Sequence, residues 1–316
     1  MTDIQVSAPR RVHVPRQLPA EESGQVTEVP QLARFRPCNT DEALVCLRRA
    51  LEFFYERQDD RAIFLRAYYV MTTEVNAAVH VRGDFTRQIF FDPEWVDQLA
   101  GKFARLYFES LAEPDGGTVA RAWRRAHDFA CNERGSIILN LLLGINAHIN
   151  YDLSCSLYEN FRQYEDHRDH LLLSRRKFDH DQINNLLVRS NPKIQQCLTR
   201  DFGGGMRFFS SLAGTLDELL TITGLKHYRE RVWWDSLSFL ATEDEPERDL
   251  VRERLSWEAG KVADFITSRN ALHLSVRGLD GLLRRRRFGA LTLEGPGGIH
   301  ADRDFGRKMQ LPFGTA

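Results

Sequence analysis

Residues 141–153 have the sequence LLLGINAHINYDL, the most apolar run of the chain, and four polar side chains interrupt it: Asn146, His148, Asn150 and Asp152. In a helix, a spacing of four places His148 and Asp152 on one stripe and the two asparagines on a neighbouring stripe. A polar group buried without a partner costs about 1–3 kcal/mol. We therefore expect these side chains either to satisfy one another or to line a site.

Helical periodicity extends from this run through most of the chain. A first helix is predicted after Asn39, which can cap it, with Glu42 three residues on as in a capping box. Further helical patterns cover residues 60–80, 92–112, a segment that carries Trp123 and Phe129, and about 135–160, 178–190, 206–222, 225–241 and 247–270. No sustained alternation of apolar and polar residues between hairpin turns predicts a sheet. The sequence predicts an all-α protein with a single multi-helix, bundle-like domain.

The two ends of the chain differ from its middle. Residues 1–38 are rich in Pro, Arg, Glu and Val without sustained periodicity, which predicts a flexible N-terminal arm, an extended or disordered leader. The helical domain is predicted over 39–290, with a hinge at DFGGGM, residues 201–206, and residues 291–316 are expected to form a C-terminal tail.

Composition narrows the class of protein. The 316 residues are 42% hydrophobic and 28% charged with a formal net charge of -1, so nothing favours nucleic acid as a partner. No apolar run approaches the roughly 20 residues that span a bilayer, so no membrane span is expected. The five cysteines are scattered and odd in number, as in a reducing cytoplasm. We expect a cytoplasmic protein with a small-molecule ligand, and a homo-oligomer is compatible with this composition.

Candidate chemistry begins with His148 and Asp152. Such a pair on one helix can supply two metal ligands, or a base and the carboxylate that orients it. The alternative is a buried hydrogen-bonded pair that locks helix packing. A second polar segment, residues 166–185, contains Asp179, which is expected to cap the helix that follows, and Asn184.

Two further helices carry polar side chains on faces that are otherwise apolar. On LRAYYVMTTEVNAAVH, residues 65–80, Tyr69 and Thr73 share one stripe and suit hydrogen bonding to a ligand. On HYRERVWWDSLSFL, Arg229 and Trp233 are four residues apart. The guanidinium is therefore expected to stack on the indole or to reach a carboxylate across the bundle.

These residues together resemble a known family. GINAHINYDL is similar to the signature of a bacterial family of helical proteins that is catalogued as domain of unknown function 5995. Further matching residues are Tyr68 or Tyr69 with Thr72 or Thr73, Phe103, Ala104, Tyr107, Trp123, Asp179, Asn184, Arg229, Glu230 and Trp233. The resemblance covers roughly residues 40–270. It implies an all-helical fold and groups the polar residues, but it implies no reaction.

The first hypothesis is an enzyme with a site between helices, a hydrolase or lyase that acts on a largely apolar small molecule. His148, Asp152 and Asp179 would be its catalytic residues, and the same three would bind a divalent metal ion, zinc or magnesium. The expected substrate-binding residues are Asn146, Asn150, Tyr69, Thr73, Asn184, Arg229 and Trp233.

Two other hypotheses stay open. In one, the protein is a non-catalytic helical binding or interaction protein, and the His, Asp and Asn side chains form a buried network that fixes helix register. In the other, the enzyme ionises a prenyl diphosphate, because YDLSCSLYE, residues 151–159, resembles the second metal motif of class I terpene cyclases. Tyr151 and Cys155 replace the Asn and Ser of that motif.

Overall fold

The computed structural model describes residues 26–81, 88–112, 119–132, 137–164, 169–202 and 222–268, together with 291 and 293. The helices are α1 (Val29–Leu32), α2 (Thr40–Glu56), α3 (Arg61–Val79), α4 (Pro93–Glu109), α5 (Arg121–Asn132), α6 (Ile137–Ala147), a π-helical turn (His148–Asp152), α7 (Leu153–Tyr164), α8 (His170–Phe202), α9 (Ile222–Leu240) and α10 (Glu245–Thr267). The described ranges contain no strand, so the all-α prediction is confirmed.

Side-chain caps set the beginnings of several helices. Asn39 Oδ1 accepts a hydrogen bond from the backbone N–H of Glu42 at 2.9 Å, as the predicted capping box requires, and the Glu42 carboxylate accepts from the N–H of Cys38. Asp92 caps α4 in the same way, with Pro93 in its first turn. These short polar residues satisfy N–H groups that have no partner inside the helix.

Two central helices organise the packing. α3 contacts α2, α4, α6 and α8. The second central helix is continuous from Ile137 to Tyr164 and comprises α6, the π turn and α7. Its α6 part contacts α3, α5 and α10, whereas its α7 part contacts α4 and α9. The polar run of residues 141–153 therefore crosses the middle of the bundle.

The buried side chains form two large clusters that meet beside this run. The first cluster includes α2, α3, α5 and α6, and the second joins α4 and α7 to parts of α8 and α9. The half-buried Phe103 packs against both clusters. Leu32 and Phe35 also belong to the first cluster, so residues 26–38 pack on the core although the sequence predicts a flexible arm there. Residues 1–25 lie outside the described residues.

The structure differs from the predicted helices mainly at α8. The pattern predicts a helix over 178–190, but α8 runs from His170 to Phe202 and contains Pro192. Proline removes one helical hydrogen bond, yet buried side chains on both sides of it, Leu186 and Leu198, keep α8 against the bundle. The prediction that Asp179 caps this helix is wrong, because Asp179 lies well inside it.

Other predictions concern segments near the C-terminus. Asp201 and Phe202, at the start of the predicted hinge, are buried at the end of α8, and residues 203–206 lie outside the described residues. The same holds for most of the predicted helix over 206–222. Of the predicted tail, Leu291 and Leu293 pack against the first cluster.

Two bulk expectations can be compared with the structure. In the described ranges, no helix combines the length and the apolarity that crossing a bilayer requires. Cys155 and Cys197 are buried free thiols.

Gly144 decides how closely the two central helices approach. A Cβ atom at this position would lie 2.4 Å from Cγ of Phe64 in α3, well inside van der Waals contact. The absence of a side chain therefore lets the Phe64 ring lie directly on the backbone of α6.

We predict that Gly144→Ala lowers the free energy of unfolding by about 1–3 kcal/mol, because overpacking against Phe64 outweighs the better helix propensity of alanine. Urea unfolding measures this difference. Gly260→Ala in α10 is the matched control, since its Cβ would come no closer than 3.0 Å to another atom, Cβ of Arg121. That variant should lose less stability than Gly144→Ala, and equal losses in the two variants would contradict the explanation.

Candidate functional site

A π turn places the polar residues of the central helix. At this turn the N–H of Leu153 donates to the carbonyl of His148, five residues earlier, instead of four as in an α-helix. π turns inside α-helices occur frequently at functional sites. The turn comprises His148 to Asp152, and both of these side chains point into the bundle, with 3% and 1% of their surface exposed.

His148 and Asp152 form the pair that the sequence predicts. His148 Nδ1 lies 2.8 Å from Asp152 Oδ2, and Trp123 Nε1 in α5 donates to the same oxygen at 2.9 Å. The carboxylate thus joins the central helix to α5. We call His148, Asp152 and Trp123 the buried triad.

The two asparagines form the second predicted pair but serve another purpose. Asn150 Nδ2 donates to Asn146 Oδ1 at 2.9 Å, and Asn146 Nδ2 donates to the carbonyl of Ala259 in α10 at 2.9 Å. The asparagine stripe therefore fastens the central helix to α10. Within the described residues, the hydrogen bonds of these two asparagines do not reach the buried triad.

Aromatic rings hold the imidazole of His148. The ring of Phe103 is stacked on it, with centroids 3.4 Å apart and 10° between the planes. Tyr68 meets it edge-on at 4.3 Å, and Phe64 and Trp123 lie at 5.5 and 6.1 Å. With Nδ1 bonded to Asp152, this aromatic shell leaves the imidazole little freedom to turn.

His148 Nε2 is the one ring atom that this arrangement leaves unused. It is buried and has no hydrogen-bond partner among the described residues. An unsatisfied buried polar atom costs about 1–3 kcal/mol, so native structures contain few of them. This atom is therefore the place where the buried triad can meet a ligand.

Burial controls the protonation of the triad. Burial raises the pKa of Asp152 well above its usual value, although the hydrogen bond from Trp123 opposes the shift, and burial lowers the pKa of His148 well below its usual value. Both directions favour the form of the pair without net charge. In that form one proton lies between Nδ1 and Oδ2 and another is on Nε2, so Nε2 presents an N–H donor.

A small cavity adjoins the aromatic shell. Its volume of about 20 Å³ is enough for one water molecule, and Phe64, Tyr107 and Trp123 belong to both its wall and the surroundings of the triad. The rest of its lining consists of Asp60, Arg61, Ala126, His127, Ala130, Asn140 and Gly144. The Tyr107 hydroxyl is buried with no partner among the described residues. Because burial raises the pKa of Tyr107, this hydroxyl stays protonated and can donate to a guest molecule.

Asp179 does not join the triad. Its two carboxylate oxygens accept from the backbone N–H groups of Phe91 and Asp92, at 2.7 and 2.8 Å, and so fix the segment that leads into α4. In the described part of the chain, no three His, Cys, Asp or Glu side chains are placed to hold a metal ion together. The predicted ligand set of His148, Asp152 and Asp179 is therefore not assembled.

The predicted residues of α3 point away from the triad. The hydroxyl of Thr73 donates to the carbonyl of Tyr69 at 2.8 Å within the helix, and the charges nearest to Tyr69 are those of Arg48 and Arg66. Tyr68, the preceding residue, provides the ring against His148. Successive side chains of a helix are about 100° apart around its axis, so Tyr68 faces His148 whereas Tyr69 faces another part of the bundle.

Arg229, Trp233 and Asn184 lie together at the interface of α8 and α9, on different contacts from those expected. Arg229 Nη2 donates to the carbonyl of His180 at 2.7 Å, and no described carboxylate pairs with this guanidinium. Lys177, not Arg229, lies over the Trp233 ring at 5.8 Å. Asn184 is buried on α8 and its Oδ1 has no partner among the described residues.

The site contains residues that spacing within one helix does not identify. Tyr68, Phe103, Tyr107 and Trp123 all occur among the family-like positions of the sequence, so the resemblance contained that signal. The cavity residues Asp60, Asn140 and His127 carried no such signal, because only the packing of α3, α5 and α6 brings them together.

We predict that His127 makes stability depend on pH. Burial, followed by the charge of Arg61, lowers its pKa to about 3, so below about pH 6.5 the unfolded chain takes up a proton that the folded protein does not. The contribution is fully present above pH 6.5 and is lost as the pH falls, with a slope of up to about 1.4 kcal/mol per pH unit. Urea unfolding between pH 7.5 and 5.5 should show a smaller slope for His127→Gln, whereas the exposed His227→Gln serves as control. Equal slopes for wild type and His127→Gln would refute the assignment.

Comparison with known proteins gives a family and nothing more specific. A family model described as "Family of unknown function (DUF5995)" matches residues 40–269. No curated protein and no solved structure matches the chain significantly. The match covers most of the chain, including both central helices, the buried triad and the interface of α8 and α9. The chain belongs to the family of unknown function DUF5995.

Proposed function

We propose that this protein is an enzyme that transfers a proton to or from a small, largely apolar molecule, with His148 as its acid–base group. The observation that carries the proposal is the buried Nε2 atom of His148, which has no hydrogen-bond partner in the described part of the chain although Nδ1 is bonded to Asp152 and the ring is stacked on Phe103. If the imidazole served packing alone, it would need only its Nδ1 atom and its ring faces. The unsatisfied Nε2 atom would then lower the stability of the protein without any compensation.

The triad can give away a proton while its imidazole stays neutral. As His148 Nε2–H gives its proton to a substrate atom, the proton at Asp152 Oδ2 passes to Nδ1, the carboxylate becomes negative and the substrate gains the positive charge. The N–H of Trp123 donates to that oxygen and stabilises the negative charge. The reverse sequence starts from this negative carboxylate and returns a proton from the reacting molecule to Nε2. Proton transfer of this kind serves hydrolase and lyase reactions alike.

The surroundings favour a neutral substrate with an apolar body. Phe64, Tyr68 and Phe103 offer ring surface around His148, and burial of a charge there would be costly. The Tyr107 hydroxyl in the adjoining cavity offers one more hydrogen bond, suited to a carbonyl or hydroxyl oxygen.

The proposal includes an alternative in which a bound metal ion assists this chemistry. Zinc would take the His148 Nε2 atom as a ligand, but further ligands would have to come from water, substrate or residues outside the described ranges. For a terpene-cyclase-like reaction, the relevant carboxylates are already paired: Asp152 with His148 and Trp123, and Glu159 with Arg105. This pairing gives the prenyl diphosphate hypothesis no support.

The second candidate function is a non-catalytic protein in which the triad only locks α5 to the central helix. It is favoured by the exposure of His148, 3%, and by the small cavity of about 20 Å³. Such a lock predicts a loss of stability, and no loss of any activity, when the triad is changed.

We predict that His148→Asn abolishes turnover while retaining much of the fold. The asparagine amide can replace Nδ1 as the hydrogen-bond partner of Asp152, but it has no atom at the position of Nε2. Short-chain nitrophenyl esters, amides and epoxides are suitable probes, because each is small, largely apolar and carries an oxygen acceptor. We expect a loss of about 100-fold or more relative to wild type, the range that acid–base groups contribute.

His180→Asn is the matched control, since His180 is as deeply buried as His148 but belongs neither to the triad nor to the lining of the cavity. It should keep activity within a few-fold of the wild type. If the turnover of wild type and His148→Asn is the same with every probe and only the melting temperature of the variant is lower, the triad has the purely structural role. Elemental analysis of the purified protein tests the metal-assisted alternative, which requires stoichiometric zinc or magnesium that His148→Asn fails to retain.

A further inference from the structure

Three arginines of the described residues are buried, and one of them differs from the others. Arg66, with 3% of its surface exposed, pairs through Nε with Asp201 Oδ2 at 2.6 Å. Arg176, at 2%, has its Nη2 3.6 Å from Asp92 Oδ2. Arg229 is equally buried, at 3%, and no Asp or Glu within the described ranges pairs with it.

The neighbours of Arg229 offer only neutral groups. Its Nη2 donates to the carbonyl of His180 at 2.7 Å and lies 3.3 Å from His180 Nδ1. His180 Nε2 lies 3.2 Å from the carbonyl of Arg229, and a carbonyl only accepts, so Nε2 carries the proton and Nδ1 is the acceptor. Burial, and then the charge of Arg229, lowers the pKa of His180, which keeps this imidazole neutral.

The positive charge of Arg229 is therefore buried without a carboxylate in contact with it among the described residues. Burial lowers the pKa of Arg229 to about 10, which leaves the guanidinium protonated at neutral pH. Asp181, whose charge acts on Arg229, is itself bonded to Lys177 at 2.6 Å, and Glu230 is bonded to the same ammonium group at 2.6 Å. Two carboxylates thus contact one partly buried lysine, while no carboxylate of the described residues contacts the more deeply buried arginine. Buried charges in proteins are normally paired.

We propose that Arg229 is the anion-binding residue of a second ligand site, between α8 and α9, that takes the carboxylate or phosphate group of a small molecule. The Nε atom of Arg229 is buried and without a partner among the described residues. A planar guanidinium holds its N–H groups in a fixed fork that matches two oxygens of such a group. An oxyanion there would complete both the hydrogen bonding and the charge balance.

Neighbouring side chains suit the rest of such a ligand. A helical carbonyl points toward the residue four positions later, so the guanidinium on the carbonyl of His180 lies beside the turn of Asn184. The Asn184 amide, whose Oδ1 has no partner, can turn its NH₂ group toward an anion. The ring of Trp233, 5.4 Å from that of His180, offers an apolar wall.

The site lies next to the protein surface. Asp181 and Glu230, the chain neighbours of His180 and Arg229, form a partly exposed cluster with Lys177, in which 43%, 47% and 23% of the side chains are accessible. The hydrogen bonds and ring contacts of Arg229 and His180 include no member of the buried triad. The proposal is therefore independent of the acid–base function of His148.

The test uses the full chain, with inorganic phosphate and acetate as probes and chloride at equal ionic strength as the reference. For the wild type we expect the melting temperature to rise by about 3 °C or more once the probe exceeds its Kd about ten-fold. A shift with phosphate alone assigns a phosphorylated ligand, and a shift with both anions assigns a carboxylate ligand. Titration calorimetry measures the Kd directly.

Variants show whether Arg229 is responsible. Arg229→Gln should lose the shift, and Arg229→Lys, which keeps the charge without the fork, should bind about ten-fold more weakly. Arg66→Met is the matched control, because it removes an equally buried arginine: it should melt at a lower temperature and keep the full shift. The proposal is overturned if the wild type responds to neither anion, or if Arg229→Lys binds as tightly as the wild type.

Discussion

The hydrogen bonds to Asp152 Oδ2 are the interaction on which the arrangement of the helices depends. This one oxygen accepts a hydrogen bond from Trp123 in α5 and shares a second one with His148 in its own helix. It lies at the point where the two large apolar clusters meet. A buried carboxyl group is tolerated only with such partners. The position of α5 against the central helix is therefore fixed by a polar contact with defined geometry, and apolar packing fills the space around it.

The π turn explains how one helix serves both clusters. Each residue advances a helix by about 100°, so one additional residue rotates every later side chain by that angle. Before the turn, α6 faces α3, α5 and α10; after it, α7 faces α4 and α9. An ordinary α-helix would also bring His148 beside Asp152, since they are four residues apart. The turn is thus explained by the change of face, and the polar residues occupy the place where that change happens.

The sequence predicted local features well and assembly poorly. Helical spacing was sufficient for the pairing of His148 with Asp152, and capping chemistry was sufficient for the beginning of α2 at Asn39, because both depend on residues within one turn. Asp179 was misplaced because its partners, the N–H groups that precede α4, are 87 and 88 residues away in the chain. The cavity beside Trp123 depends on the packing of three helices, and no local pattern contains that information.

Among the buried polar atoms that have no hydrogen-bond partner in the described residues, His148 Nε2 and Arg229 Nε belong to the most strongly proton-binding side chains of the two candidate sites. A purely structural role for the buried triad uses Asp152 Oδ2 and the faces of the His148 ring. An apolar ring of similar size could fill the position of His148 without an unsatisfied nitrogen. A structural arginine needs a carboxylate, as Arg66 has in Asp201. Both exceptions concern groups that bind or transfer protons and anions. Since each costs stability in the free protein, a ligand that satisfies them is the simplest physical reason for both.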